Sequence, residues 1–222
     1  MTAHRRSASP RSARASRRKG ERNGDQGRDS VRRGELLAIA AEMFAARGFF
    51  STTVRDIADE AGILSGSLYH HFDSKESMAD AILRSFLDGM LESYRAIVAE
   101  GRPPREALEG LVRSSLQGMT DNAAAIIIYQ NEARFFAELP RFAYLRETAL
   151  EFRKIWIGVL ADGKRSGDFR PGLDEELVYR LIRDTVWAAP RWFRPKGAMT
   201  PDKLASQYLD VLLEGIATGP RG

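Results

Sequence analysis

Arg183, Trp187 and Arg191 follow one another at intervals of four residues, so on a helix they share one face. Guanidinium groups hold phosphate oxygens in pairs, and an indole stacks on a planar base. Such a ridge suits a ligand with phosphates and a base, as a coenzyme A (CoA) thioester has. A plainer reading stands beside it: the arginines pair with acids of another helix or subunit, and Trp187 is core. Neither Arg183 nor Arg191 has an acid four residues away. Arg180 has both Glu176 and Asp184 and reads as a solvated ion pair. Arg194 and Lys196 prolong the positive charge.

A second group lies between Thr52 and Glu76, in the stretch TTVRDIADEAGILSGSLYHHFDSKE. Two short helices joined by a tight turn at Gly62 are the outline of a helix-turn-helix. Ala58 is small where the next helix passes close, Gly62 tolerates positive φ, and Ile57, Ile63 and Leu68 make a small core. The later helix is then the recognition helix. Its opening Leu64-Ser65-Gly66-Ser67 allows close entry into a major groove, and Tyr69, His70 and His71 follow. Lys75 starts the next helix, where an ammonium and exposed N–H groups bind a phosphate together, and Thr52 or Thr53 does likewise one helix earlier.

Other chemistries find little support. The 222 residues include no cysteine and three histidines, one of them His4 near the start. Adjacent His70 and His71 point about 100° apart on a helix and chelate one ion poorly. No nucleophile–base constellation or glycine-rich phosphate loop is present, so neither an enzyme nor a bound cofactor or metal is expected. No apolar run approaches the length needed to cross a bilayer, and no secretory signal is evident, so the expected location is the cytoplasm.

The elements that position these groups read as helices throughout. Asp29 or Ser30 caps a first helix to about Arg47, with Leu36, Leu37, Ala40, Ala41 and Phe44 at helical spacing and Gly48 as its stop. The recognition helix covers about Ser65 to His71. Asp73 and Glu76 have the spacing of a capping box for a helix to about Glu100, striped by Met78, Ile82, Leu83, Phe86 and Met90. Further helices are expected at about 104–120, 123–138, 140–165, 174–194 and 201–217. In the helix at 174–194, Leu177, Val178, Leu181, Ile182 and Val186 read as a core stripe. Candidates for an apolar cavity are Met90, Ile127, Tyr129, Phe135, Phe136, Phe142, Phe152 and Trp156, with Tyr129 and Trp156 foremost.

The fold class is therefore all-α. Residues 30–75 hold the three helices of the helix-turn-helix region, and residues 76–218 the longer helices. Residues 1–29 read as a disordered basic tail. Residues 1–33 carry eleven Lys/Arg and three acids, while the whole chain is +4, so the remainder is net negative. The tail is either a solubilising start or an arm adding phosphate contacts. A helix-turn-helix reader works in pairs about 34 Å apart, which calls for a homodimer on palindromic double-stranded DNA. The helices at 174–194 and 201–217 are expected to pair across the two-fold axis.

The stretches AAEMFAARGF, TTVRDIADEAGILSGSLYHHF and SKE, in that order and spacing, resemble the DNA-binding domain of the TetR family of repressors. The resemblance implies Leu64, Ser65, Gly66, Tyr69 and His70 near base edges. It places Thr53, Ser67, His71 and Lys75 at phosphates, and implies a three-helix DNA-binding domain over residues 30–75 and a helical ligand-binding and dimerisation domain over residues 76–218. With IIIYQNEARFF, PRFAYL and LVYRLIRDTVWAAPRWFRP added, the chain resembles a narrower group, the repressors of the later, ring-C/D stage of cholesterol catabolism. That likeness implies a repressor released from its operator by a CoA thioester of a partly degraded steroid, held in part by Arg183, Trp187 and Arg191.

Overall fold

The structure, a computed structural model, describes residues 30–193 and 199–216. The basic tail, Arg194 and Lys196 lie outside the described residues. The described chain is helical, with no β-strand.

Helix α1 (residues 30–47) buries Leu36, Ala40, Met43 and Phe44. It stops at Gly48, whose positive φ of 87° turns the chain while its N–H donates to the Phe44 carbonyl. Helix α2 (Val54–Glu60) starts from a capping box in which Thr53 and Asp56 satisfy each other's backbone N–H. Gly62, at φ 65°, makes the turn into α3 (Ser65–Tyr69), and Ile57, Ala58 and Leu68 form the buried seam. The recognition helix is two residues shorter than the sequence implies, because His70 is already its C-cap.

Helix α4 (Lys75–Ala99) buries Met78, Ile82, Leu83, Phe86 and Met90, as their spacing predicts. Its cap differs from the expected Asp73–Glu76 pair. Ser74 is the N-cap, its hydroxyl accepts from Ser77 N–H, and the Ser77 hydroxyl accepts from Ser74 N–H. Asp73 faces Arg141 instead.

Helix α5 (Pro104–Asp121) is the central rod, packed on α4 and on four later helices, with Leu108, Leu111 and Val112 fully enclosed. Helix α6 (Ala123–Ala137) carries Phe135 and Phe136 against Phe49 and Phe50 of the α1–α2 loop. The helix expected at 140–165 is divided. A 3-10 turn (Pro140–Phe142) precedes α7 (Tyr144–Ser166), and Phe142 stacks on Phe136 at 4.3 Å. Thus Phe135, Phe136 and Phe142 join the two domains and do not line the cavity between the later helices.

Helix α8 (Glu175–Trp192) is capped by Asp174, whose carboxylate accepts from Leu177 N–H. It buries Tyr179, Ile182, Val186 and Ala189. The expected stripe was rotated too far: Leu177 and Leu181 are 55% and 57% exposed, because α5 and α7 take the neighbouring face. Helix α9 (Pro201–Ile216) packs on α5 through Ala205, Leu209 and Leu213 and leaves Val211 exposed.

Candidate nucleic-acid interface and ligand cavity

The capping box and Gly62 present α3 to solvent almost bare. Leu64 is 80% and Tyr69 56% exposed; Gly66, Ser67 and His70 are exposed, and Ser65 and His71 half-buried. A Cβ at Gly66 would touch nothing within the protein, so no internal packing asks for glycine there. Phe72 is buried beneath the Arg33 guanidinium, 4.7 Å away. Thr53 is exposed, but its hydroxyl donates to Asp56 at 2.7 Å. Those bonds from Thr53 hold the Asp56 carboxyl below its ordinary value.

Lys75 departs from the expected outward pose. Its ammonium donates to the Phe49 carbonyl at 2.8 Å and lies 4.4 Å from the Phe49 ring centroid. In this arrangement the lysine ties α4 to the α1–α2 loop.

Between α4, α5, α6, α7 and α8 lies a cavity of about 610 Å³. Trp187, Tyr129, Trp156 and Arg183 all line it, brought together from three helices. Trp187 meets Tyr129 at 5.2 Å and Phe86 at 6.2 Å. Deeper in, Tyr94 packs edge-on against Trp156 and Phe152. The Ser115 hydroxyl donates to the Leu111 carbonyl, so the Tyr94 phenol donates to Ser115 at 2.5 Å. Burial pushes the Tyr94 phenol well above its ordinary value, so it stays neutral and protonated. Of the other expected cavity residues, Phe152 lines the wall, while Met90 and Ile127 do not.

The mouth is ringed by Arg146 and Arg153 of α7 and Arg180 and Arg183 of α8. Three have acidic partners. Arg183 donates to Asp184 at 2.7 Å, Arg153 to Glu176 at 2.8 Å, and Arg180 to the other Glu176 oxygen at 3.1 Å. Arg183 therefore pairs with its immediate neighbour on α8, where the plainer reading expected an acid of another helix or subunit. Arg191 is the departure. It stands outside the cavity and donates to Gln130 at 3.0 Å, while the Gln130 amide donates to the Trp187 carbonyl at 2.6 Å. It braces α6 against α8, and the three-residue ridge reduces to Arg183 and Trp187.

Sequence reasoning set Arg180 aside because of its local acids, although it lies three residues before Arg183 on the same face. Arg146, Arg153, Tyr94 and Ser115 gave no signal, since they join the site only through the packing of α4, α5 and α7 on α8. Among the described residues no cluster of histidine and acidic side chains is arranged to hold a metal, and no helix is long and apolar enough to cross a membrane.

Comparison with known proteins places this geometry. Residues 36–82 match the family described as bacterial regulatory proteins, tetR family, and residues 101–216 match the tetracyclin repressor-like C-terminal domain. The chain is 54% identical over 189 residues to the HTH-type transcriptional repressor KstR2 of Rhodococcus jostii, covering 85% of this chain and 93% of the relative. It is 52% identical to the repressor of the same name from Mycobacterium tuberculosis, covering 86% and 95%. The solved structure of the ketosteroid transcriptional regulator KstR2 of Mycobacterium tuberculosis superposes with a TM-score of 0.82 over 85% of this chain and 96% of that one.

Proposed function

The chain belongs to the tetR family of bacterial regulatory proteins, and on that premise we propose that it is a transcriptional repressor whose operator is released by a CoA thioester of a partly degraded steroid. The observation that carries the effector reading is the cavity: aromatic and apolar within, ringed by four arginines at its mouth. The volume falls in the range of sites that enclose small ligands. An apolar ring system fills the interior, and the nucleotide phosphates meet the guanidinium groups. The names of the two KstR2 repressors and the ketosteroid regulator support both the sign of regulation and the steroid class.

The protein works in the cytoplasm as a homodimer on a palindromic site. Support for the dimer is the apolar surface on the outer face of α8 and α9, where Leu177, Leu181, Trp192 and Val211 are all more than half exposed. Base edges are read by Leu64, Ser65, Gly66, Tyr69 and His70, with Thr53, Ser67 and His71 near phosphates. Release is a population shift. The ligand favours a domain arrangement in which the two α3 helices lose their spacing of one DNA turn, and its leverage equals its difference in affinity for the two arrangements.

The test is calorimetric titration with the CoA thioester of a bicyclic ring-C/D steroid acid, beside operator binding by anisotropy. The expected result is saturable binding and at least a tenfold loss of operator affinity. Thioester binding that leaves operator affinity unchanged overturns the effector reading.

A further inference from the structure

Glu176 is one of two acids, with Asp184, set among the four arginines at the mouth of the cavity. Its two carboxylate oxygens are divided between two helices: one takes Arg153 of α7 through Nε at 2.8 Å and Nη2 at 2.6 Å, and the other takes Arg180 of α8 at 3.1 Å. The Arg153–Glu176 pair also borders a second hollow of about 470 Å³, which opens beside Lys164 and the α7–α8 connection. The pair is thus a partition between that hollow and the main cavity.

A carboxylate and a phosphate oxygen ask the same thing of a guanidinium, two parallel N–H donors in a plane. We propose that Glu176 is an intramolecular competitor of the effector. It occupies Arg153 and Arg180 in the empty protein and must give them up to the ligand's phosphates. The idea rests on the effector reading above and concerns the anionic end of that ligand. The physical chemistry permits the exchange. Arg153, Arg180 and Glu176 side chains are 48%, 62% and 34% exposed, and pairs so open to water are weak. The phosphate groups of coenzyme A together bring more charge than one carboxylate and can exchange for it. Once displaced, Glu176 lies beside the phosphate it yielded to and repels it, on the helix that also carries the exposed Leu177 and Leu181. Ligand entry therefore loosens α7 from α8 at the mouth and removes the partition between the two hollows. A ligand with an apolar body and no anionic end fills the cavity but leaves the pair intact.

Two roles for Glu176 predict opposite signs. An acid that merely positions arginines for the ligand weakens binding when lost. A competitor strengthens it. Titration of wild type, Glu176→Gln and Glu176→Ala with the bicyclic steroid-acid CoA thioester, and with free coenzyme A, decides between them. The expected result is tighter thioester binding by both variants, by about threefold or more, with the gain kept for coenzyme A itself. Equal or weaker binding by both variants, with wild-type binding intact, overturns this inference alone. No binding by any of the three proteins removes the effector reading and this inference with it. Opposite effects of the two substitutions overturn it as well, since Gln and Ala both remove the charge.

Discussion

Arg141 and Asp73 stand 68 positions apart in the chain, and the arginine donates to the aspartate at 3.0 Å. Asp73 sits in the turn that follows the recognition helix. Arg141 sits in the 3-10 turn that leads into α7, whose first residues Leu145, Arg146 and Thr148 wall the cavity. The contact is reinforced. Arg141 approaches Asp80 at 3.9 Å, its carbonyl accepts from Arg84, and the Arg84 guanidinium lies 3.7 Å over the Tyr144 ring. One short segment thus touches both the reader and the ligand site.

Arg141→Ala is expected to weaken communication more than stability. Its side chain is 40% exposed and that of Asp73 69%, so the stability loss stays below about 1 kcal/mol. The drop in operator affinity caused by the thioester should shrink by about threefold, with thioester affinity itself held within about twofold. Anisotropy of a labelled operator with and without thioester measures it. An unchanged ligand effect removes the link from the mechanism.

Acid should loosen the reader. Hydrogen bonds from Thr53 hold Asp56 below its ordinary value, and Ser77 with Arg141 does the same for Asp73. A carboxyl with a lowered folded value contributes stability above its unfolded value, near 4, and loses it as pH falls through the folded value. Thermal melts should be level from about pH 7 to 5 and descend below about pH 4. Asp56→Asn should lessen that descent, and Thr53→Ala should cost about 1 kcal/mol at neutral pH through loss of the cap.

Gly163→Ala should be costly far from both sites. A Cβ there would lie 2.2 Å from the Phe169 ring, which is buried and folded back so that its N–H donates to the Gly163 carbonyl. The expected loss is about 2–3 kcal/mol, or roughly 4–10 °C in Tm. A melt unchanged within a degree would mean that Phe169 can swing away.

Arg183→Ala and Arg191→Ala should separate, although both residues are exposed arginines of α8. Arg183 borders the cavity, and its loss is expected to weaken thioester binding about tenfold. Arg191 is engaged with Gln130, and its loss should change binding by less than about threefold. Equal losses would return Arg191 to the ligand.

The legible parts of this molecule are local. Gly48, Gly62 and the Thr53 cap act within a few residues of themselves, so their spacing alone places the helix-turn-helix. The stripe of α4 is legible for the same reason, because a long helix repeats its burial over several turns. The α8 stripe misled because Leu177 and Leu181 are apolar without facing inward, and hydrophobicity does not distinguish a core from an exposed apolar face. The contact of Lys75 was out of reach because its partner is a backbone carbonyl, which no residue type announces. Arg153 and Tyr94 were out of reach, as nothing near them in sequence foretells Glu176 or Ser115. Arg183 and Trp187 were reached because both lie on one turn of one helix, and Tyr129 and Trp156 entered only as aromatic candidates.

Helix α6 has a mechanical consequence. Fifteen residues give a rod about 22 Å long, with Tyr129 and Gln130 on the cavity near its middle and Phe135 and Phe136 on the reader near its end. Those two stations lie about 9 Å apart along the axis. A tilt of about 10° pivoted at the cavity moves the far station by about 1.5 Å, enough to slide the Phe135 ring off its 4.8 Å seat on Phe50. The rod is a lever hinged at the pocket wall, and the throw of its far end is fixed by the number of residues between Tyr129 and Phe135. Adding or deleting one residue in that interval would turn the two stations about 100° out of phase and disconnect them without touching either.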